Sequence, residues 1–208
     1  MSSVRPVVTL LTDFGTKDAY VAAMKGVILT RCPEVTIVDL SHEITPQDIF
    51  EGALFLAEAA HYFAPGTIHC VVVDPGVGTS RLPIAASAGG QLFVAPDNGI
   101  LSLFVRKHPL GEVRMITNKR FMLDRISATF HGRDIFAPAA AALASGVPVE
   151  EAGDRTTTMT MLDIPWAKRD EDNRVVGIVM HIDRFGNAIT NIRREDLDPA
   201  GPRDIRAG

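Results

Sequence analysis

A carboxylate and a guanidinium stand at the two ends of one glycine-rich loop, within the segment V-V-V-D-P-G-V-G-T-S-R at residues 71–81. The apolar run that opens the segment is typical of a buried strand, and Asp74 follows it directly. Arg81 ends a loop that carries little side-chain bulk. Glycine lets a backbone approach a small ligand closely, so opposite charges at the ends of such a loop suit an active site. The segment predicts a reactive carboxylate with a cationic partner.

Polar residues also follow the other predicted strands. They are Asp13 after the first strand, Asp39 and His42 after the second, and Asp97 and Asn98 after the fourth. Ligands of open α/β sheets bind beyond the carboxyl ends of the strands, so these residues are expected to share one edge. Each motif alone is equally well explained as an ordinary turn, because Asp-Pro-Gly and Asp-Asn-Gly are common turn sequences. Their recurrence favours a site, with Asp39, His42, Asp97 and Asn98 as structural or supporting residues.

The elements that must hold these residues alternate along the chain. Apolar, β-branched runs predict strands at residues 6–12, 35–39, 67–73 and 91–95. Helical spacing predicts helices at 17–31 and 134–145, and another after Asn98-Gly99. A further helix is predicted to start with Thr45 as its N-cap and Pro46 at its first position. This order predicts an α/β fold in which a doubly wound, mostly parallel sheet is flanked by helices, over residues 1–150.

The C-terminal quarter has a different character. Residues 151–172 are predicted to be a linker, and residues 173–208 a small C-terminal β domain with strands at 174–182 and 187–192. The sequence D-R-F-G joins these strands as a hairpin. Two strands do not form a stable unit alone, so the second domain is interpreted as incomplete. The segment after about Ile192 is expected to be poorly ordered.

Composition and missing motifs exclude several classes. The 208 residues are 46% hydrophobic and 22% charged, with a net charge of −4, which disfavours partners such as nucleic acid or an anionic membrane. There is no apolar run of membrane-spanning length, the first residues M-S-S-V-R-P lack the apolar core of a signal peptide, and the two cysteines form no disulfide framework, so a cytoplasmic location is expected. Nucleotide-phosphate loops, metal-ligand spacings and the G-x-S-x-G elbow are all missing, so no metal site is predicted.

Six motifs in order along residues 6–195 carry a resemblance to a known family. They are T-D-F-G-T-K-D-A-Y-V-A-A-M-K-G, S-H-E-I-T-P-Q-D-I-F-E-G-A, V-V-D-P-G-V-G-T-S-R, A-P-D-N-G, T-F-H-G-R-D-I-F-A-P and I-D-R-F-G-N-A-I-T-N-I. The chain thereby resembles the S-adenosyl-L-methionine (SAM) hydroxide adenosyltransferases, which are SAM hydrolases that form adenosine and relatives of the bacterial fluorinase and chlorinase. The resemblance implies hydrolysis at the ribose C5′, with SAM as the substrate and no cofactor.

The resemblance implies a catalytic trio of Asp74, Arg81 and His131. Asp74 would hold or deprotonate the attacking water, while Arg81 and His131 would tune that carboxylate and stabilise developing hydroxide. From the residues alone, His131 could equally be a buried histidine bonded to backbone, and Arg81 a solvated surface charge. The halogenase relatives carry Tyr where Asp74 stands, and the fluorinase carries Trp where Gln47 stands. Halide chemistry is therefore disfavoured, because a carboxylate repels an anion.

The resemblance also implies the substrate contacts and the assembly. Asp13 is expected to bind the ribose diol, and Asp183, Phe185 and Asn187 are expected to contact the adenine and methionine parts. The hairpin that carries the last three could alone be an ordinary turn. Family members are trimers whose ligand lies between neighbouring subunits, so a homotrimer is expected.

In the family, further C-terminal strands complete a barrel and supply adenine contacts. These strands do not follow here, so the resemblance implies an incomplete barrel. A catalytically weak adenosine- or SAM-binding protein is therefore the alternative to an active hydrolase. A generic nucleotide-binding module would need phosphate affinity, for which the sequence has no motif.

Overall fold

A six-stranded sheet forms the centre of the computed structural model, which describes residues 5–197. Its strands lie in the order β2-β1-β3-β5-β4-β6. Their bounds are Val7–Thr12 for β1, Thr36–Ser41 for β2, Ile68–Val72 for β3, Pro83–Ala88 for β4, Gln91–Pro96 for β5 and Leu110–Met115 for β6. Strands β2, β1, β3 and β5 pair in parallel, while β4 runs antiparallel to both of its neighbours. The predicted α/β fold with a mostly parallel sheet is confirmed.

Helices cover both faces of this sheet. They are α1 at Tyr20–Arg31, α2 at Ile49–Ala59, α3 at Ser102–Val105 and α4 at Ala137–Ala144, with a π-helical turn at Gly132–Phe136 directly before α4. One apolar core contains buried residues of α1 and α4, and the other contains buried residues of α2 and α3. Strand β3 is buried throughout, because its alternate side chains enter the two cores: Cys70 lies in the first and Val71 in the second.

The second helix begins later than the sequence predicted. Thr45 is not its N-cap, because α2 starts at Ile49 and Asp48 is the capping residue, whose carboxylate accepts the N–H of Glu51 at 2.9 Å. A β-turn precedes the helix instead, closed by the Asp48 N–H bonded to the Thr45 carbonyl at 2.9 Å. The fixed φ of Pro46 suits the second position of such a turn as well as the first position of a helix. The sequence therefore did not distinguish a β-turn from the start of a helix.

Two strands were missed by the sequence patterns. The segments of β4 and β6, P-I-A-A-S-A and L-G-E-V-R-M, contain alanine, glycine and charged residues rather than a run of large β-branched side chains. A signal for β4 was present in the pair Gly89-Gly90, which forms the two-residue loop to β5 with φ of 56° and 80°. Such loops need positive φ at both positions, and glycine adopts it without steric cost.

The chain divides into two units at Leu162 and Asp163. Residues 151–162, part of the predicted linker, belong to the first unit and bond to its sheet and to helix α3. The N–H of Thr156 donates to the Val113 carbonyl at 3.0 Å, and the N–H of Leu162 donates to the Ser102 hydroxyl at 2.8 Å. The domain limits of 1–150, 151–172 and 173–208 stay a prediction.

Short antiparallel strands make up the second unit. Strands β7 at Lys168–Arg169 and β8 at Val175–Val176 pair with each other, as do β9 at Val179–Ile182 and β10 at Ala188–Thr190. The second pair is the predicted hairpin. The expectation of poor order after about Ile192 falls mainly on residues 198–208, which lie outside the described residues.

None of the helices described between residues 5 and 197 combines the length and the hydropathy that crossing a bilayer requires.

Candidate active site

Asp74 and Arg81 form a nearly buried ion pair just beyond the end of β3. The Arg81 Nε donates to Asp74 Oδ1 at 2.8 Å, and a terminal guanidinium nitrogen of Arg81 donates to Asp74 Oδ2. The side chains are 9% exposed for Arg81 and 5% exposed for Asp74. This two-pronged geometry fixes the plane of the carboxylate as well as its position. A carboxylate oxygen has two acceptor sites, so each oxygen of Asp74 can still accept a hydrogen bond from a water molecule.

His131 contacts the same guanidinium. Its Nδ1 lies 2.9 Å from a terminal nitrogen of Arg81. Because a guanidinium only donates, Nδ1 accepts this hydrogen bond and the proton of the neutral ring is on Nε2. Burial lowers the pKa of His131, and the positive charge of Arg81 lowers it further, while the carboxylates of Asp74 and Asp134 oppose the shift. His131 is therefore a neutral support for Arg81 and not a second cation.

The remaining face of the guanidinium is covered by an aromatic ring. The central carbon of Arg81 lies 5.1 Å from the centre of the Phe136 ring, which is fully buried. Cation–π contact adds to the hydrogen bonds and holds the guanidinium plane. No sequence signal indicated this contact, because Phe136 lies in an apolar stretch typical of any core helix.

The glycine-rich loop passes close to another segment of the protein, at Ala128. Gly78 has a φ of 76°, and a Cβ at this position would lie 2.6 Å from the carbonyl oxygen of Ala128. Glycine is therefore required here because the loop passes close to residue 128, whose segment leads into His131. From the sequence, the glycines were expected to bring the backbone close to a ligand. The structure instead shows that Gly78 approaches Ala128 of the same chain.

A buried carboxylate fixes the segment before His131. Asp134 is fully buried, accepts the Ser127 N–H at 2.8 Å, and accepts the Nε–H of Arg133 at 2.6 Å. Burial acts to raise the pKa of Asp134, but the hydrogen bonds from Arg133 and Ser127 outweigh it and the pKa lies below its usual value. Asp134 thus stays ionised and ties residue 127 to the π-helical turn that follows His131.

Asp13 lies at the same edge of the sheet as Asp74. Thr12 pairs with Val72 in the parallel β1–β3 ladder, so the two aspartates follow neighbouring strands, Asp13 one residue and Asp74 two residues beyond this pair. The Asp13 Oδ2 accepts the main-chain N–H of Gln47 at 2.8 Å. The expectation that strand-end carboxylates share one edge therefore describes these two residues.

The other strand-end residues support this edge. Asn98 donates its side-chain N–H to the carbonyl of Val73, the residue before Asp74, at 2.8 Å. His42 bonds through Nδ1 to the Thr12 hydroxyl at 2.9 Å, one residue before Asp13. Its Nε2 lies 3.0 Å from Asp39 Oδ1.

Asp39 and Asp97, the two other carboxylates at this edge, also have hydrogen-bond partners. Burial acts to raise the pKa of Asp39, and hydrogen bonds from Lys25 and His42 bring it below the usual value. Asp97 accepts the N–H of Thr160 at 2.7 Å.

The second unit brings Asp183, Phe185 and Asn187 together in one turn. Asp183 Oδ1 accepts the N–H groups of Phe185 at 2.9 Å and of Asn187 at 2.8 Å, and its Oδ2 accepts the Asn187 side chain at 2.7 Å. The Asn187 side chain and N–H are the largest causes that lower the pKa of Asp183. The Phe185 side chain is 89% exposed. The turn is therefore built by its own polar groups and leaves one aromatic ring in solvent.

Metal ligation has no support within the described part of the chain. No group of three or more His, Cys, Asp and Glu side chains in residues 5–197 is arranged to hold a metal ion.

Comparison with known proteins places this chain among SAM-dependent enzymes. The SAM hydroxide adenosyltransferase N-terminal domain family matches residues 8–153. An (R)-S-adenosyl-L-methionine hydrolase from Salinispora tropica is 40% identical over 206 residues, which is 97% of this chain and 77% of the relative. A fluorinase from Nocardia brasiliensis is 31% identical over 225 residues, covering 95% of this chain and 74% of the fluorinase.

A solved structure shares the fold. The crystal structure of an uncharacterized conserved protein from Thermotoga maritima superposes with a TM-score of 0.85 at 41% identity, covering 89% of this chain and 71% of that one.

Proposed function

Because the chain belongs to the SAM hydroxide adenosyltransferase family, we propose that it hydrolyses SAM to adenosine and L-methionine. The observation that carries the proposal is the Asp74–Arg81–His131 cluster, a nearly buried carboxylate whose orientation is fixed by a bidentate guanidinium. This cluster lies at the sheet edge that also presents Asp13. A preoriented carboxylate is what a reaction with water as its nucleophile needs, because water is a poor nucleophile until its proton is accepted.

The chemistry follows from the leaving group. The sulfur of SAM is a cationic sulfonium, so it departs as a neutral thioether and needs no general acid. Water held by Asp74 attacks C5′, the new C5′–O bond forms as the C5′–S bond breaks, and the electron pair of that bond stays on sulfur. The water proton passes to Asp74 and then to solvent. A cofactor is not needed, since the substrate itself carries the activated bond.

Arg81 and His131 act through Asp74 and the developing hydroxide. The guanidinium holds the carboxylate plane and supplies positive charge beside the oxygen that loses its proton. His131 accepts a hydrogen bond from Arg81 and thereby keeps the guanidinium aligned with the Asp74 carboxylate. Halide transfer fits this site poorly, because the Asp74 carboxylate repels an anion at the position where the resemblance puts a halogenase Tyr.

Asp13 and the turn at residues 183–187 are the proposed substrate contacts. Asp13 takes the ribose diol, because a carboxylate is a bidentate acceptor for two adjacent hydroxyls. Asp183, Phe185 and Asn187 contact the adenine and methionine parts. The exposed Phe185 ring supports this role, since a solvent-facing aromatic on a polar turn offers a stacking surface.

The assembly and location are the remaining parts of the proposal. In a homotrimer with its ligand between subunits, the exposed Phe185 ring would be covered by the ligand or a neighbouring subunit. The two free cysteines, Cys32 and Cys70, are buried, which suits a reducing cytoplasm. Light scattering tests the trimer directly, and a stable monomer that binds adenosine tightly would overturn the shared site.

The decisive experiment is incubation with SAM in water enriched in ¹⁸O, followed by mass spectrometry. Adenosine that carries one ¹⁸O at the 5′-hydroxyl, with unlabelled L-methionine, supports attack on C5′. Both epimers at sulfur are assayed, because the name of the Salinispora relative specifies the (R) form. Calorimetric binding of SAM and adenosine without product would leave the alternative, a catalytically weak SAM- or adenosine-binding protein.

A further inference from the structure

We propose that the β-turn at residues 45–48 is a positioning element for Asp13, in which the main-chain N–H of Gln47 sets the orientation of the carboxylate. The inference rests on the proposed function, because the ribose role of Asp13 does. It assigns to residue 47 a role carried by its backbone conformation and not by its side chain.

The conformation of Gln47 is the first observation. Its φ is 68°, in the left-handed region that glutamine rarely adopts. Within residues 5–197 the other positive-φ residue besides glycine is Asn173, and asparagine is much more common there. Such a conformation costs free energy and persists only where the surroundings impose it, which is often at a functional site.

The direction of the Gln47 N–H is the second observation. It points at Asp13 Oδ2 with an N···O distance of 2.8 Å, across a separation of 34 residues. Among the side chains and N–H groups described in the structure, it is the one hydrogen bond made to this carboxylate. A type II turn requires positive φ at its third position, which is Gln47 here, and Pro46 suits the second. The turn type therefore explains both the left-handed backbone and the direction of the N–H.

Both sides of the contact are anchored. On the turn side, Glu51 Oε2 accepts the Thr45 N–H at 2.6 Å, and Asp48 caps helix α2. On the Asp13 side, the His42 carbonyl accepts the N–H of Gly15 at 2.7 Å, and the His42 ring bonds to Thr12. The backbone on either side of Asp13 is thus fixed, and the freedom that remains is rotation of its side chain. The Gln47 N–H removes that freedom.

The consequence for ribose binding is geometric. A diol needs both carboxylate oxygens aimed at two adjacent hydroxyls. The N–H occupies one acceptor site of Oδ2 and leaves the others open, so it fixes the plane without blocking the ligand. Without this hydrogen bond the Asp13 carboxylate would rotate freely and would lose that freedom when the diol binds. The entropy lost would weaken affinity for the diol specifically.

A substitution series at residue 47 tests the inference, with glycine, asparagine, alanine and valine replacing Gln47. The readout is the ratio of 2′-deoxyadenosine to adenosine dissociation constants, measured by calorimetry. Gln47→Val is expected to reduce this ratio about tenfold, because a β-branched residue resists the left-handed region. Gln47→Gly and Gln47→Asn are expected to rescue it relative to valine, and alanine to fall between. A loss in the glycine variant equal to that in valine would overturn the inference, because it would mean that the side chain acts.

Asn173→Val is the matched control. It places the same substitution at an exposed left-handed position in another turn, and it is expected to leave the nucleoside ratio unchanged. A change in that ratio as large as that of Gln47→Val would mean that backbone strain acts non-specifically, and it would overturn the inference.

A second readout needs no ligand and separates this inference from the proposed function. Hydrogen exchange of the Gln47 amide is expected to accelerate about tenfold in Asp13→Ala, because the acceptor is removed. Unchanged exchange would overturn the contact whatever the enzyme does. If wild type makes no adenosine from SAM but the amide responds, the proposed function fails while the positioning contact stands.

Discussion

The cluster around Asp74 and the turn at residues 183–187 are both rich in hydrogen bonds, but they are built in opposite ways. Asp74 and Arg81 stand seven residues apart with nearly buried side chains, and His131 comes 50 residues after Arg81; the three orient one another through side-chain contacts. Asp183 and Asn187 are four residues apart, exposed, and bonded mostly to their own backbone. The first arrangement suits chemistry, because its geometry is fixed before substrate arrives. The second suits contact, because its aromatic tip is still solvated.

The largest effect is expected from Asp74→Asn. The amide keeps the size of the side chain but cannot accept the water proton, so kcat should fall about 10²–10⁴-fold with little change in SAM binding. Product chromatography and calorimetry measure the two quantities. Asp97→Asn, at a neighbouring strand end, is the matched control and should keep its turnover. Unchanged turnover in Asp74→Asn would remove the residue from the mechanism.

Asp13→Ala should weaken adenosine binding by about 2–4 kcal/mol, because a pair of charge-assisted hydrogen bonds to the diol is lost. Methionine binding should change far less. Calorimetry with adenosine and 2′-deoxyadenosine measures the effect, and the variant should no longer distinguish the two nucleosides. Equal binding of both nucleosides by the wild type would contradict the ribose assignment.

Mildly acidic pH should destabilise the first unit, through protonation of His69, but not the second. This buried residue accepts from the Thr9 hydroxyl through Nδ1 at 2.7 Å and donates from Nε2 to Gln91 at 2.9 Å, because the Gln91 amide nitrogen already donates to two carbonyls. Burial lowers the pKa of His69 to about 4. The unfolded chain therefore binds a proton more readily below about pH 6.5, and the free energy of unfolding should fall by about 3 kcal/mol as the pH drops to about 4.

The pKa of Asp183 is lowered instead, so its contribution is present above the ordinary value of 3.8 and is lost only as the pH falls below it. The first unit should thus lose stability in a pH range where the hairpin turn does not. Denaturant titrations from pH 7 to pH 4 test this, with His61→Gln as a control at an exposed histidine. A His69→Phe variant that kept the full pH dependence would rule out His69 as its source.

The smallest effect on folding is expected from Phe185→Ala. Because the ring is 89% exposed, the free energy of unfolding should change by no more than about 0.5 kcal/mol. Adenosine binding should weaken about tenfold if the ring stacks on the ligand or a neighbouring subunit. Phe136→Ala, which removes the buried ring beneath Arg81, is the contrasting variant and should cost about 3–5 kcal/mol of stability. A large folding defect in Phe185→Ala would contradict the exposed role of the ring.

Sequence patterns determined the elements whose signals are local. The parallel strands were predictable because buried strands need continuous apolar runs, and the hairpin because D-R-F-G is turn chemistry. Asp13 and Asp74 were predictable as neighbours, because carboxyl ends of parallel strands meet at one edge. Strands β4 and β6 were not, since small and charged residues form strands only when the sheet beside them supplies the partners.

Tertiary structure alone decided how the catalytic candidates are held. His131 reaches Arg81 across 50 residues, because helix α4 and its π-helical turn pack on the sheet and carry it there. Gly78 is required by a carbonyl at residue 128, and Gln47 is left-handed because a turn directs its N–H to Asp13. Each of these is a distance between segments remote in sequence. Local patterns report backbone preference and burial, whereas such distances are fixed only when the whole chain has packed.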